Sequence, residues 1–210
     1  TRDNDTGNHI RRTQFYVRVL AEKLRRHPRF SHFLDDDKTI DLLFKSAPLH
    51  DIGKVGIPDH ILLKPGRFTD EEFEIMKTHT ALGRDAIIAA ERRLGLDLPF
   101  LFFAKEIAYS HQEKWDGMGY PEGLSGDDIP IPGRLMAVAD VYDALVCRRV
   151  YKEGMPHEKA VGIIVESKGT HFDPDIVEAF TEIADEFIQI AKRYEDTEHD
   201  VQAKAKQQGG

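Results

Sequence analysis

Four histidines and two aspartates carry the chemistry that this sequence could do: His9, His50, His79 and His111, with Asp51 directly after His50 and Asp140 further along. Imidazole nitrogens mixed with carboxylate oxygens form the donor set of transition-metal sites. A carboxylate beside an imidazole can bridge two ions while the imidazole binds one of them. Helical bundles hold metal in this way, with inward-facing side chains from several helices. Taken singly, each of these residues reads first as a satisfied core or surface group. Of the ten histidines, His27, His32, His60, His157 and His199 lie in polar segments and read as solvated. His171, in Gly169-Thr170-His171-Phe172-Asp173-Pro174, reads as a loop-fixing group rather than a ligand.

The periodicity supplies the elements that would position these residues. Ile10, Val17 and Leu24 recur every seven residues with Leu20 and Ala21 between them, which predicts a first helix from His9 to about Arg26. Ile40, Leu43, Phe44 and Ala47 predict a second helix, tightened by Pro48 and ending near Gly53. Thr69 and Glu72 form a capping-box signature. A long third helix is expected after them through Phe73, Met76, Gly83, Ile87 and Ala90, with His79 inside it. The apolar stretch from Pro99 to Tyr109 predicts a buried helix that ends on His111. A Gly- and Pro-rich loop follows from Asp116 to about Pro132. Leu135 to Leu145 define the next helix, carrying Asp140 and Asp143 and expected to reach Tyr151. Pro156 and Asp173-Pro174 open two shorter helices, and the last apolar stripe runs from Ile176 to Phe187. The sum is an all-α bundle of about seven helices with no convincing strand and no internal repeat.

Composition narrows the class. A chain of 210 residues with 40% hydrophobic and 31% charged residues can bury a core as one domain. The expected organisation is a domain over residues 1–195 and a polar, disordered tail over 196–210. No apolar run approaches the roughly 18 residues that span a bilayer, so no membrane insertion is expected in this segment. Cys147 is the single cysteine, which excludes an internal disulfide and fits a reducing cytoplasm. A net charge of −8 argues against binding a DNA or RNA polymer, because such affinity needs excess Lys and Arg. A phosphate ester stays open, since bound cations would dominate the local field. The start at Thr1, without Met or a signal-like segment, leads us to expect a piece of a longer protein with an upstream regulatory domain.

The segment His50-Asp51-Ile52-Gly53-Lys54-Val55-Gly56-Ile57-Pro58 resembles the HD-GYP family. So does His111-Gln112-Glu113-Lys114-Trp115-Asp116-Gly117-Met118-Gly119-Tyr120-Pro121, which contains the Gly-Tyr-Pro triplet that names the family. Thr6-Gly7-Asn8-His9, Lys77-Thr78-His79, Val138-Ala139-Asp140-Val141-Tyr142-Asp143 and Arg149-Val150-Tyr151-Lys152 match further family segments in order. The resemblance runs from about Asp5 to Phe180.

The resemblance implies an HD-type helical fold and metal-dependent hydrolysis of cyclic di-GMP, to the linear dinucleotide, to GMP or to both. Position by position, His50, Asp51, His79, His111 and Asp140 match ligands of a core metal pair, with Asp51 bridging. Asp5 and His9 match positions that hold a third ion in some members. Lys54 matches a lysine near the reaction centre, and Arg149 and Lys152 match contacts to substrate phosphate. Tyr120 is a candidate substrate contact, while Glu113, Trp115 and Asp116 are expected to shape its loop. Two positions depart from the pattern. Gln112 replaces a second His, and Asp5 stands where Glu is frequent, which shifts the expectation toward a two-ion site or weaker metal retention, not toward loss of activity. Mixed nitrogen and carboxylate donors favour Fe or Mn, accept Zn, and are too nitrogen-rich for Mg or Ca. The expected partners are a cyclic dinucleotide substrate, an upstream receiver or sensor domain, a diguanylate cyclase and a second copy of the chain. Two alternatives stay open: an HD phosphohydrolase acting on another nucleotide, and a catalytically idle module that binds the dinucleotide or a partner.

Overall fold

A computed structural model of the chain describes residues 7–95, 98–147 and 154–196. Among these residues there is no strand, only two isolated bridges, Asp116 with Ser125 and Lys168 with Phe172. Eleven α-helices are described: α1 (Gly7–Leu24), α2 (Ser31–Leu34), α3 (Asp37–Ser46), α4 (Asp59–Leu62), α5 (Asp70–Lys77), α6 (His79–Leu94), α7 (Pro99–Ser110), α8 (Ile131–Val146), α9 (His157–Glu166), α10 (Pro174–Glu182) and α11 (Ala184–Arg193). Short 3-10 turns cover Ala47–Leu49, Ile52–Gly56 and Gly126–Asp128. The count exceeds the expected seven because two helices are single turns and two apolar stripes are broken into pairs.

The helices arise where the pattern predicts them. α1 buries Tyr16, Val17, Leu20, Ala21 and Leu24 along one stripe, together with His9 and Arg12. α8 lies at the centre and buries residues on nearly every side, so its sequence carries almost no polar stripe. α1 packs against α3, α8, α10 and α11, while α7 packs against α3, α6 and α8. Tyr16 stacks on Phe187 with ring centroids 4.5 Å apart, and Tyr142 meets Phe187 edge-on at 5.1 Å. That aromatic cluster ties α1, α8 and α11 into one core.

Four boundaries differ from expectation. The long helix after Thr69 is two helices, because the Thr78 N–H closes a 3-10 turn on the Ile75 carbonyl at 3.1 Å. His79 therefore begins α6 instead of lying within a helix. The stripe from Ile176 to Phe187 breaks at Ile183, whose φ of −119° leaves the helical range. α8 ends at Val146, since Cys147 is extended with ψ of 137°; Tyr151 lies outside the described residues. The second helix ends at Ser46, and two 3-10 turns then carry the chain past His50 and Asp51 to Gly56. The Thr69–Glu72 capping box forms as expected, both halves present.

Candidate metal centre

The four histidines come from four elements: His9 from the inner face of α1, His50 from the end of the Ala47–Leu49 turn, His79 from the start of α6 and His111 from the end of α7. All four are buried. Local chain geometry fixes three of the rings. His50 Nδ1 lies 2.9 Å from the Ala47 carbonyl, His79 Nδ1 2.7 Å from that of Met76, and His111 Nδ1 3.0 Å from that of Ile107. His9 Nδ1 instead faces a carboxylate, Asp143 Oδ2, at 2.8 Å. Carbonyl and ionised carboxylate oxygens only accept, so each Nδ1 carries the proton and each Nε2 keeps its lone pair.

Those lone pairs converge. His9 Nε2 lies 3.3 Å from His50 Nε2, and His79 Nε2 lies 3.5 Å from His111 Nε2. Two lone pairs at such distances repel unless a cation sits within reach of both. Asp51 joins the halves: its Oδ2 is 3.1 Å from His50 Nε2, and its Oδ1 is 3.3 Å from His79 Nε2 and 3.6 Å from His111 Nε2. Asp51 Oδ1 is buried and has no hydrogen-bond partner, a costly state for a carboxylate oxygen. Asp140 Oδ1 stands 3.9 Å from His9 Nε2 and 4.0 Å from His50 Nε2. The donors thus sort into two triads, His9-His50-Asp140 and Asp51-His79-His111, each with ligand atoms within 4.8 Å of one another. Tetrahedral or octahedral divalent ions of the Fe, Mn and Zn type fit such nitrogen and oxygen donors, and the orphan oxygen and facing lone pairs are what a cation satisfies.

Electrostatics agree with anionic carboxylates. Burial alone would raise Asp51, but positive charge at the position of His50, first among its neighbours, holds it well below the usual carboxylate range, the role a cation would take over beside neutral imidazoles. Burial lowers His111, keeping its imidazole neutral and able to ligate. Lys54 Nζ lies 2.5 Å from Asp51 Oδ2, which places a cation at the rim of the same cluster.

The Gly-Tyr-Pro loop folds back over this cluster. Tyr120 N–H donates to the Gln112 carbonyl at 3.2 Å, and the Tyr120 ring meets those of His79 at 6.3 Å and Phe73 at 6.2 Å. Burial and the charges of Asp51 and Asp140 raise the Tyr120 phenol, so it stays a hydrogen-bond donor at neutral pH. The Tyr120-Pro121 peptide is cis. Gly119 permits the fold-back, because a Cβ there would sit 2.3 Å from Lys114 N and 2.5 Å from Glu113 Cα. Glu113 then clamps the loop: its buried carboxylate accepts from Glu122 N at 2.8 Å and Leu124 N at 3.1 Å. Glu113→Ala is expected to strip these donors and cost about 2 kcal/mol, read as a drop in thermal midpoint. A midpoint equal to the parent protein's would show that the loop does not depend on the clamp.

Trp115 and Asp116 anchor the loop's base through N–H bonds to the carbonyls of His171 at 3.1 Å and Thr170 at 2.9 Å. Burial pushes the His171 imidazole down to about 4 and its ring stacks on Phe172 at 4.2 Å, in keeping with a loop-fixing role. Asp5, Arg149 and Lys152 lie outside the described residues. Gln112 serves the loop with its main-chain carbonyl. Asp143 and Arg12 carry signals that sequence reasoning did not use. Asp143 is three residues after Asp140 and so shares its helical face, and Arg12 is three after His9.

The HD domain family profile matches residues 10–176. A cyclic di-GMP phosphodiesterase of Vibrio cholerae is 57% identical over 196 residues, covering 93% of this chain and 39% of the relative. A cyclic di-GMP phosphodiesterase of Thermotoga maritima is 42% identical over 200 residues, covering 94% and 50%. A 3'3'-cGAMP-specific phosphodiesterase of Vibrio cholerae is 42% identical over 189 residues, covering 90% and 33%. The chain thus spans half or less of the length of these curated relatives. Among solved structures, a cyclic GMP-AMP specific phosphodiesterase of V. cholerae aligns with TM-score 0.57 at 18% identity, covering 94% of this chain and 48% of that one. An HD-type protein of Bdellovibrio bacteriovorus aligns with TM-score 0.58 at 20% identity, covering 87% and 55%. At such identities these two speak for the fold alone. With two signature segments of the expected type and this match along most of its length, the chain belongs to the HD domain family, among its HD-GYP members.

Proposed function

We propose that this chain is the catalytic part of a phosphodiesterase that hydrolyses cyclic di-GMP with two divalent cations, one against each triad. The observation that carries the reading is Asp51, a buried carboxylate set between the triads with one oxygen unpartnered. His50, Asp140 and His9 would hold one ion, and His79 and His111 the other, with Asp51 shared. Bound divalent cations would neutralise the phosphoryl oxygens and activate water at neutral pH. The mixed donors favour Fe or Mn. Asp5 and Gln112 are the proposed contributors to a third ion or a wider coordination shell; Gln adds only a neutral oxygen.

The remaining residues divide the work on the substrate. Lys54, beside Asp51, offers a compact positive charge to the non-bridging oxygen or the leaving alkoxide. Tyr120 offers a hydroxyl donor from the roof of the site. Arg149 and Lys152 are proposed to hold the second phosphate of the ring, Arg149 by its bidentate fork. A cytoplasmic setting rests on the lone Cys147, and no helix among the described residues is long and apolar enough to cross a membrane. The longer relatives leave room for a receiver or sensor domain. A diguanylate cyclase and a second copy of the chain are proposed partners.

Relatives named for cyclic di-GMP and for 3'3'-cGAMP both match this chain, so the test sets the two against each other. Protein purified without oxygen, stripped with chelator and reloaded with Fe(II) or Mn(II), is incubated with each dinucleotide and the products are separated by chromatography. The expected result is metal-dependent conversion of cyclic di-GMP to the linear dinucleotide or GMP, with the higher kcat/KM for cyclic di-GMP. Binding without product under both metals would overturn the enzyme in favour of a sensor module.

A further inference from the structure

One of the four histidines is held differently from the rest. His50, His79 and His111 each rest Nδ1 on a neutral main-chain carbonyl, whereas His9 rests it on the Asp143 carboxylate. A carboxylate behind an imidazole makes the opposite nitrogen a stronger donor and fixes the ring in plane. Asp143 is itself fully committed. Its Oδ1 accepts from Arg12 Nε at 2.6 Å and from the Cys147 thiol at 3.5 Å, and its Oδ2 accepts from His9 Nδ1 and from Arg12 Nη2 at 3.0 Å. Four donors fill the four lone-pair sites of one carboxylate. Burial would raise this carboxyl, but the bonds from His9 and Arg12 pull it to about 2, so it remains anionic.

Arg12 extends the support outward. It is buried, and its Nη1 donates to the Tyr194 carbonyl at 2.7 Å and lies 3.4 Å from Asp196 Oδ2. Asn8 Nδ2 donates to the Glu195 carbonyl at 3.3 Å, and Phe15 stacks on Tyr194 at 5.2 Å. The turn after α11 is therefore fastened to the start of α1, which carries His9.

We propose that Asp143 is a positioning residue for the His9-His50-Asp140 triad, oriented by Arg12 and, through it, by the turn at Tyr194–Asp196. The inference rests on the two-cation reading above and adds that the two sites are supported unequally. Removing the Asp143 charge weakens one cation and spares the other, which a merely structural ion pair would not do.

The test compares Mn(II) binding by the full chain and by Asp143→Asn, using equilibrium dialysis against buffered metal and elemental analysis, with far-UV circular dichroism as the folding control. The parent chain is expected to retain two ions. The variant is expected to hold one with unchanged affinity and the other 10–100-fold more weakly. Equal weakening of both ions, or two ions bound as in the parent, would overturn the proposal. A parent chain that binds no Mn(II) would instead overturn the metal reading itself. Asn at 143 leaves buried Arg12 with only the longer contact to Asp196, so Arg12→Gln/Asp143→Asn, which removes the charges of both partners, repeats the measurement if the single variant does not fold.

Discussion

Asp51→Ala is expected to abolish metal-dependent turnover, lowering kcat by about a thousandfold or more. The carboxylate reaches into both triads, at 3.1 Å from His50 and 3.3 Å from His79. Losing the electrostatic stabilisation that shared cations provide costs on the order of 4 kcal/mol in the transition state, and each 1.36 kcal/mol is tenfold in rate. The fold should persist, because the metal-free cluster gains little from a buried carboxylate whose Oδ1 has no hydrogen bond. Kinetics on reloaded protein, with circular dichroism beside them, check both halves. Full activity in a folded Asp51→Ala variant would sink the assignment.

Gly53→Ala is expected to damage stability and metal binding together. A Cβ at position 53 would lie 1.9 Å from the His79 carbonyl oxygen and 2.4 Å from Gly83 N, and both obstacles are main chain. Gly53 and Gly83 let the Ile52–Gly56 turn lie directly on α6, and that contact sets His79 opposite Asp51. Overpacking of this kind costs about 3 kcal/mol or more, because backbone cannot rotate aside. For a chain of this size, that is a fall of roughly 6–12 °C in thermal midpoint. The variant should also need a higher metal concentration for half-maximal activity. A melting curve that superimposes on the parent's would contradict the close approach.

The sequence reveals the donors more readily than the arrangement that makes them donors. His50, His79, His111 and His9 stand at helix ends or on an apolar face, positions that periodicity and the Thr69–Glu72 capping box mark. The break at Thr78 is hidden, because Met76, Gly83 and Ile87 continue one stripe across it and threonine tolerates helix. Gly53 reads locally as a helix end, and its close contact with Gly83 depends on a segment 30 residues away. Asp143 is visible as a helical residue on the Asp140 face. Its bond to His9 spans 134 positions, and no local spacing reports it. Glu113 is legible as a loop residue, but the backbone donors at Glu122 and Leu124 emerge only once Gly119 folds the loop back. Asp5, Arg149 and Lys152 rest on the family resemblance.

The sharing of two cations through Asp51 can be seen in a crystal structure of the Mn(II)-loaded protein with anomalous scattering recorded at the manganese edge. Two anomalous peaks are expected, one against His9, His50 and Asp140 and one against His79 and His111, with the Asp51 carboxylate between them. A single peak, or peaks away from Asp51, would contradict the sharing.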